Sequence, residues 1–208
     1  MSNPPCHRDW LGTARLSFPE LVRFHSPEMA RHLVQFYHDE AIIVGNVAYL
    51  AAKALAAGSA VVMVATQKHL DQIATRLAHS GSDLGIEQTL GRLVIVDAAE
   101  ALSNFMVNDH PDEAAFDRTI GTIMRKAAER SASGFVFAFG EMVALLCAAD
   151  NPSGAVRLEQ LWNVLAERQR FSLYCAYPLN GLEKNLNIDA LVEICAEHAL
   201  TIPGEKSS

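Results

Sequence analysis

The side chains that could do chemistry in this sequence are few and far apart. His32 and His38 stand six residues apart, and Cys6, Cys147, Cys175 and Cys195 form no CxxC pair. In an extended strand, side chains six apart share a face but lie about 20 Å from end to end, too far to hold one metal ion. The wide cysteine spacing argues against both a closed zinc site and a disulfide framework, and points to reduced thiols. Neither a GxSxG elbow nor an HExxH pair is present. One nucleophilic set stays open, Cys175 with His32 and Glu141, if adjacent strands bring them together. The other reading of Cys175 is a small buried apolar residue. The reading taken is no catalytic residue, no metal and no cofactor, and hence not an enzyme.

The elements that must position these side chains alternate regularly. His32 to Tyr37 reads as a strand feeding a helix over Glu40 to Ala57 that stops at Gly58. Ser59 to Thr66, Arg92 to Asp97, Gly134 to Gly140 and Phe171 to Tyr177 are further apolar, β-branched or aromatic runs. Continuous runs of this kind mark strands covered on both faces. Helices are expected at Gln67 to Ser80, Asp112 to Arg130, Glu141 to Ala149, Ser153 to Arg168 and Ile188 to Leu200. The fold class is therefore α/β, a mostly parallel five-stranded sheet with helices on both faces. Residues 1–30, with four prolines, form an N-terminal extension; 31–182 form the domain; 183–208 are a C-terminal helix and polar tail.

In such sheets ligands bind beyond the carboxyl ends of the strands. Those ends place Tyr37, His38, Asp39, Glu40, Thr66, Gln67, Asp97, Gly140, Glu141 and Tyr177 to Asn180 around the expected site. A nucleotide-binding version would carry a glycine-rich loop with lysine after the first strand. FYHDEAII has neither, and its two acids put negative charge where a phosphate would sit. Glu141 reads equally as a helix-terminal carboxylate. Arg157, Glu159 and Asn163 read as a solvated helix face and Trp162 as core.

Composition narrows the partners. The 208 residues carry a net charge of −7 with scattered Lys and Arg, so no basic face exists to neutralise phosphates and no direct nucleic-acid contact is expected. No apolar run reaches the roughly 18 residues that span a bilayer, and Met1 to Trp10 is too polar for a signal peptide. A cytoplasmic protein without a membrane partner is expected.

The ordered runs HLVQFYHDEAIIVGNVAYLAAKALAAGSAVVMVAT, GRLVIVDAAEALSNFMV, FGEMVALL, RLEQLWN and FSLYCAYPL resemble the MEDS domain, a sensory domain of methanogens, methylotrophs and the regulator DcmR. The resemblance covers about residues 30 to 182. It implies a RecA/KaiC-like three-layer core that has lost its P-loop, and a role in sensing small, hydrocarbon-derived or other cytosolic molecules. Carried over by position, it implies His32, Gln35, Tyr37, Glu141, Arg157, Glu159, Trp162, Asn163, Cys175, Tyr177 and Pro178 as pocket or signalling residues. Relatives join this domain to a helix-turn-helix or a histidine kinase. About 26 residues follow Leu182, so output is expected in trans, through a signalling partner such as a kinase or regulator, or through a homodimer. Two other readings stand beside it: a degenerate nucleotide-binding protein using Glu141 and Asp97 around a metal, and an interaction module without a ligand.

Overall fold

The computed structural model describes residues 32–81, 83–180 and 188–202. The expected N-terminal extension, with Cys6, and the start of the C-terminal segment lie outside the described residues. In chain order the elements are β1 (His32–Tyr37), α1 (Glu40–Ala56), β2 (Ala60–Ala65), α2 (Gln67–His79), α3 (Leu84–Thr89), β3 (Leu93–Asp97) and α4 (Ala98–Ser103). A small hairpin, β4 (Met106–Val107) and β5 (His110–Pro111), precedes α5 (Glu113–Phe116), a π turn (Asp117–Gly121) and α6 (Thr122–Arg130). The chain continues through β6 (Val136–Gly140), α7 (Met142–Ala148), α8 (Pro152–Arg168), β7 (Phe171–Pro178), α9 (Ile188–Ala196) and β8 (Leu200–Ile202).

The main sheet runs β3-β2-β6-β7-β1-β8, and every pairing in it is parallel. The α/β class holds, with six strands in place of the expected five. The sixth, β8, is three residues long and stands where the sequence pattern predicts a helix end and tail. It adds to the edge of β1, and the Ala199 N–H donates to the His32 carbonyl just ahead of it (2.8 Å). The helix expected over Asp112 to Arg130 is interrupted by the π turn. There a Cβ on Gly121 would fall 2.6 Å from Asp117 Oδ1, so a larger residue would displace the exposed Asp117 carboxylate from its place beside Arg125.

Strand parity sorts side chains into two cores. Leu33, Tyr37, Val61, Met63, Phe139 and Tyr174 pack under α1 and α2 on one face. Val34, Phe36, Val62, Val64, Leu173, Cys175 and Tyr177 pack on the other against α4, α7, α8 and α9. This is the three-layer arrangement. In the β1–β7 register His32 lies opposite Leu173 and Val34 opposite Cys175, so His32 and Cys175 are diagonal neighbours on the α8 face. Asn151 caps α8 through Gly154 N–H (2.9 Å) with Pro152 in its first turn, which fixes where that helix enters the layer.

Candidate functional site

Five of the expected residues meet beneath the β1–β7 pair. Glu159, on the inner face of α8, is fully buried and points at the sheet. Its Oε2 is 3.1 Å from His32 Nε2 and 3.6 Å from Cys175 Sγ, and its Oε1 accepts a hydrogen bond from the Tyr177 hydroxyl (2.7 Å). His32 Nε2 also stands 3.4 Å from Cys175 Sγ. A sixth member came from outside the expected set: His198, after α9, brings Nε2 to 3.4 Å from Glu159 Oε1, with its ring 4.0 Å from that of His32.

The hydrogen bonds settle which ring nitrogens carry protons. Asn163 spends its amide on the Glu197 carbonyl (2.9 Å) and carboxylate (2.8 Å), both pure acceptors. Its Oδ1 therefore faces His32, whose Nδ1–H must donate to it (2.9 Å). His198 Nδ1–H donates to the Ile194 carbonyl (2.6 Å). Both imidazoles thus turn Nε2 toward one carboxylate, and His198 Nε2 makes no hydrogen bond although its side chain is buried. Burial alone would raise the Glu159 carboxyl. The His198 and His32 rings beside it act the other way and more strongly, and hold Glu159 well below the usual carboxylate range. Burial, then the Glu159 charge, pushes the Cys175 thiol well up, and the Cys147 thiol goes up to about 12 for the same reasons. A thiol so raised is a proton-bearing donor at neutral pH rather than a nucleophile. The set His32, Glu159, Cys175 and His198 has one ligand atom from each within 4.8 Å of the others, so these are the residues able to hold a metal ion among those described.

A hollow of about 230 Å³ opens beside this cluster, lined by His32, Trp162, Asn163, Phe171, Leu173 and Glu197, with exposed Ala166 and Ala199 at its mouth. Its floor is largely apolar, with three polar side chains at one side.

The nucleophilic set left open by the sequence is half right. His32 and Cys175 do meet, but their carboxylate is Glu159, and Glu141 lies elsewhere. Glu141 follows β6, beside the end of β2. Its Oε2 accepts from the Thr66 N–H (3.0 Å) and hydroxyl (3.2 Å), and its Oε1 pairs closely with His69 Nδ1. It does not cap its helix through the side chain. His69 in turn lies 3.7 Å from Glu40, which pairs with Lys68. Gln35 is on the opposite sheet face, where it accepts from Tyr174 and from Asn46 (3.2 Å). Tyr37 is buried near Glu141, and burial, with the Glu141 and Glu40 charges behind it, pushes its hydroxyl up. Arg157 is on the outer face of α8, paired with Glu113 (3.1 Å) in water. Trp162 is core, edge-on to Phe116 and Phe171, and its ring also borders the hollow.

At the carboxyl ends of the strands the groups are already spent. Asp39 accepts from the Ala41 N–H (2.8 Å) and so occupies the anion position of α1, and Asp97 caps α4 through Ala99 and Glu100. The open groove of about 480 Å³ there, between α1 and α2, is lined by Asp39, Glu40, Ala41, Val44, Gln72, Thr75 and Arg76, and reaches the His69–Glu141 pair only through Glu40.

His69 gives this edge a pH dependence. Its hydrogen bond to Glu141 raises it above its ordinary 6.5, against the opposing effect of burial. A raised histidine stabilises the fold fully below its unfolded value and loses that contribution as pH climbs through the folded one. The stability difference between the protein and His69→Gln, read from urea unfolding, is therefore expected to be largest below pH 6.5 and to shrink in alkali.

The model of one protein family, described as the methanogen/methylotroph, DcmR sensory domain, matches residues 31–198. The chain belongs to the MEDS family. The matched span takes in the whole cluster, His198 included. MEDS domains are sensory domains, and the role of this chain is accordingly sensory. A search of curated proteins gave no match. No helix among the described residues is long and apolar enough to cross a membrane.

Proposed function

We propose that this MEDS domain senses one small, largely apolar organic molecule bound in the hollow beside His32, and transmits its presence through the segment that carries α9 and β8. The observation that carries the reading is the joining of an open apolar hollow to a buried polar cluster. A cavity of ~150 Å³ lined by aliphatic and aromatic groups accommodates benzene, so about 230 Å³ suits a compound of similar or slightly larger size, below the drug-sized range. His32, Asn163 and Glu197 supply the polar groups that orient it.

The route outward is short. Glu197 and His198 follow α9 directly, and both touch the hollow or the cluster, while Ala199 hydrogen-bonds His32. A ligand that prefers one arrangement of Asn163 and Glu197 shifts the docking of α9 by its differential affinity for the two states. The solvent face of α9, with Asp189, Val192 and Glu193, is the surface on which a signalling protein partner reads that shift. Nucleotide sensing is disfavoured, because Asp39 already fills the anion position of α1.

Thermal-shift measurements with short-chain alcohols, small haloalkanes and benzyl alcohol test the site. Binding at a hundredfold excess over Kd is expected to raise Tm by roughly 5–10 °C. Ala166→Trp, which fills the mouth from an exposed helical position, is expected to abolish that rise while leaving the unliganded Tm nearly unchanged. Equal shifts in both proteins would place the ligand elsewhere, and no shift with any of these compounds would remove the apolar-ligand reading.

A further inference from the structure

We propose that His32, Glu159, Cys175 and His198 form a four-coordinate site for a zinc-type divalent transition-metal ion. The four come from four elements or junctions, β1, α8, β7 and the turn after α9, and converge on one buried point. Metal–ligand bonds of 2.0–2.3 Å in a tetrahedron separate neighbouring ligand atoms by about 3.3–3.8 Å. His32 Nε2 stands 3.1 Å and Cys175 Sγ 3.6 Å from Glu159 Oε2, His32 Nε2 stands 3.4 Å from Cys175 Sγ, and His198 Nε2 stands 3.4 Å from the other carboxylate oxygen, Oε1; one ligand atom from each of the four lies within 4.8 Å of the others, a little wider than a metal-bound tetrahedron.

The outer partners are those of a metal site. A metal-bound histidine holds its second nitrogen on a carbonyl or similar acceptor, which fixes the tautomer and turns the lone pair inward. His32 does this through Asn163 Oδ1, His198 through the Ile194 carbonyl, and Glu159 is steadied by the Tyr177 hydroxyl. The inward Nε2 of His198 is a buried atom without a hydrogen bond, aimed at the centre. Two imidazole lone pairs set against a carboxylate repel unless a proton or a metal ion lies between them. Two stacked imidazolium rings 4.0 Å apart would repel as well. A single divalent ion answers both conflicts. Thiolate, imidazole and carboxylate together select zinc-type ions over calcium or magnesium, which take oxygen shells. The hollow beside His32 gives the ion a way in. On binding, the Cys175 thiol releases its proton to solvent and the sulfur donates as thiolate. The ion would tie the segment after α9 to β1 and β7, so its occupancy sets how firmly that segment docks. The site stands whatever molecule the hollow takes.

The test uses the full chain stripped by chelator and titrated with Co²⁺ as a visible probe for Zn²⁺. Expected are a single Co²⁺ per chain, visible bands of tetrahedral intensity, and a near-ultraviolet thiolate-to-cobalt band. A protein in which Cys6, Cys147 and Cys195 are replaced by Ser should keep that band, and Cys175→Ser should lose it. His198→Ala should weaken binding by at least about 10–100-fold, the loss that outer-shell changes alone bring. Stripped protein with native circular dichroism that binds neither Co²⁺ nor Zn²⁺ would overturn the proposal. So would a thiolate band that disappears with the three-cysteine replacement, or binding unchanged by His198→Ala. None of these readouts involves the organic compounds used above, so the metal site and the ligand hollow can fail separately.

Discussion

Replacing Glu159 with Ala is expected to lower the unfolding free energy by about 3–5 kcal/mol, the usual loss when one member of a buried charged pair is removed. Glu159 is the common partner of His32, Cys175, Tyr177 and His198. Without it, a hydroxyl, a thiol and two imidazole nitrogens face one another in an apolar layer with no shared acceptor, and each buried unsatisfied group costs about 1–3 kcal/mol. The damage should also be local in character. His198 anchors the segment after α9, so loss of order there is expected before loss of the central strands. Chemical denaturation with circular dichroism measures the first effect. A loss below about 1 kcal/mol, the range of exposed ion pairs, would show that the cluster does not hold the two layers together.

Trp162→Ala is the second large effect, about 3–5 kcal/mol for emptying a packed aromatic position. Trp162 is 1 % exposed and stands edge-on to Phe116 and Phe171, so its removal opens a void joining the hollow to the core. The same change enlarges the ligand space. Larger aromatic compounds that do not stabilise the unaltered protein are therefore expected to stabilise Trp162→Ala in thermal-shift assays, partly restoring its Tm. Trp162→Phe should lose less and admit less. A Trp162→Ala protein as stable as its parent would mean that the ring is not the wall of this hollow.

Much of the fold was legible because the strands are continuous apolar runs. SAVVMVAT, RLVIVD, GFVFAFG and FSLYCAY can be buried on both faces and therefore call for helices above and below. Leu200 to Ile202 was not legible as a strand. Three residues carry no periodicity, and its only reason to be extended is the open edge of β1.

The site was legible in part. Glu159 and Asn163 are four apart and share a helix face, while Arg157 does not, a distinction that helical spacing contains but the matching of motifs does not. Gln35 and His32 differ in strand parity and so point to opposite layers. The mistaken partnership of Cys175 with Glu141 has a topological cause. Gly140 pairs with Cys175 in the sheet register, so Glu141 is level with it but one residue on, and its side chain goes to Thr66 and His69, whereas Cys175 faces a helix whose carboxylate comes sixteen residues earlier. His69 carries a sequence signal, since it falls on the buried stripe of α2 with Leu70, Ile73 and Leu77. His198 had none. Only the crossing from α9 to the edge of β1 brings it to Glu159.

The central claim is that occupancy of the hollow beside His32 is felt by the segment after α8 and β7. Hydrogen–deuterium exchange of residues 188–202, with and without a compound that raises Tm, tests it most directly. The account expects these amides, together with those at the start of β1, to change protection on binding, and expects Ala166→Trp to remove the change. Protection altered only around α1 and α2, with residues 188–202 exchanging as before, would contradict it and move the sensing site to the carboxyl edge of the sheet.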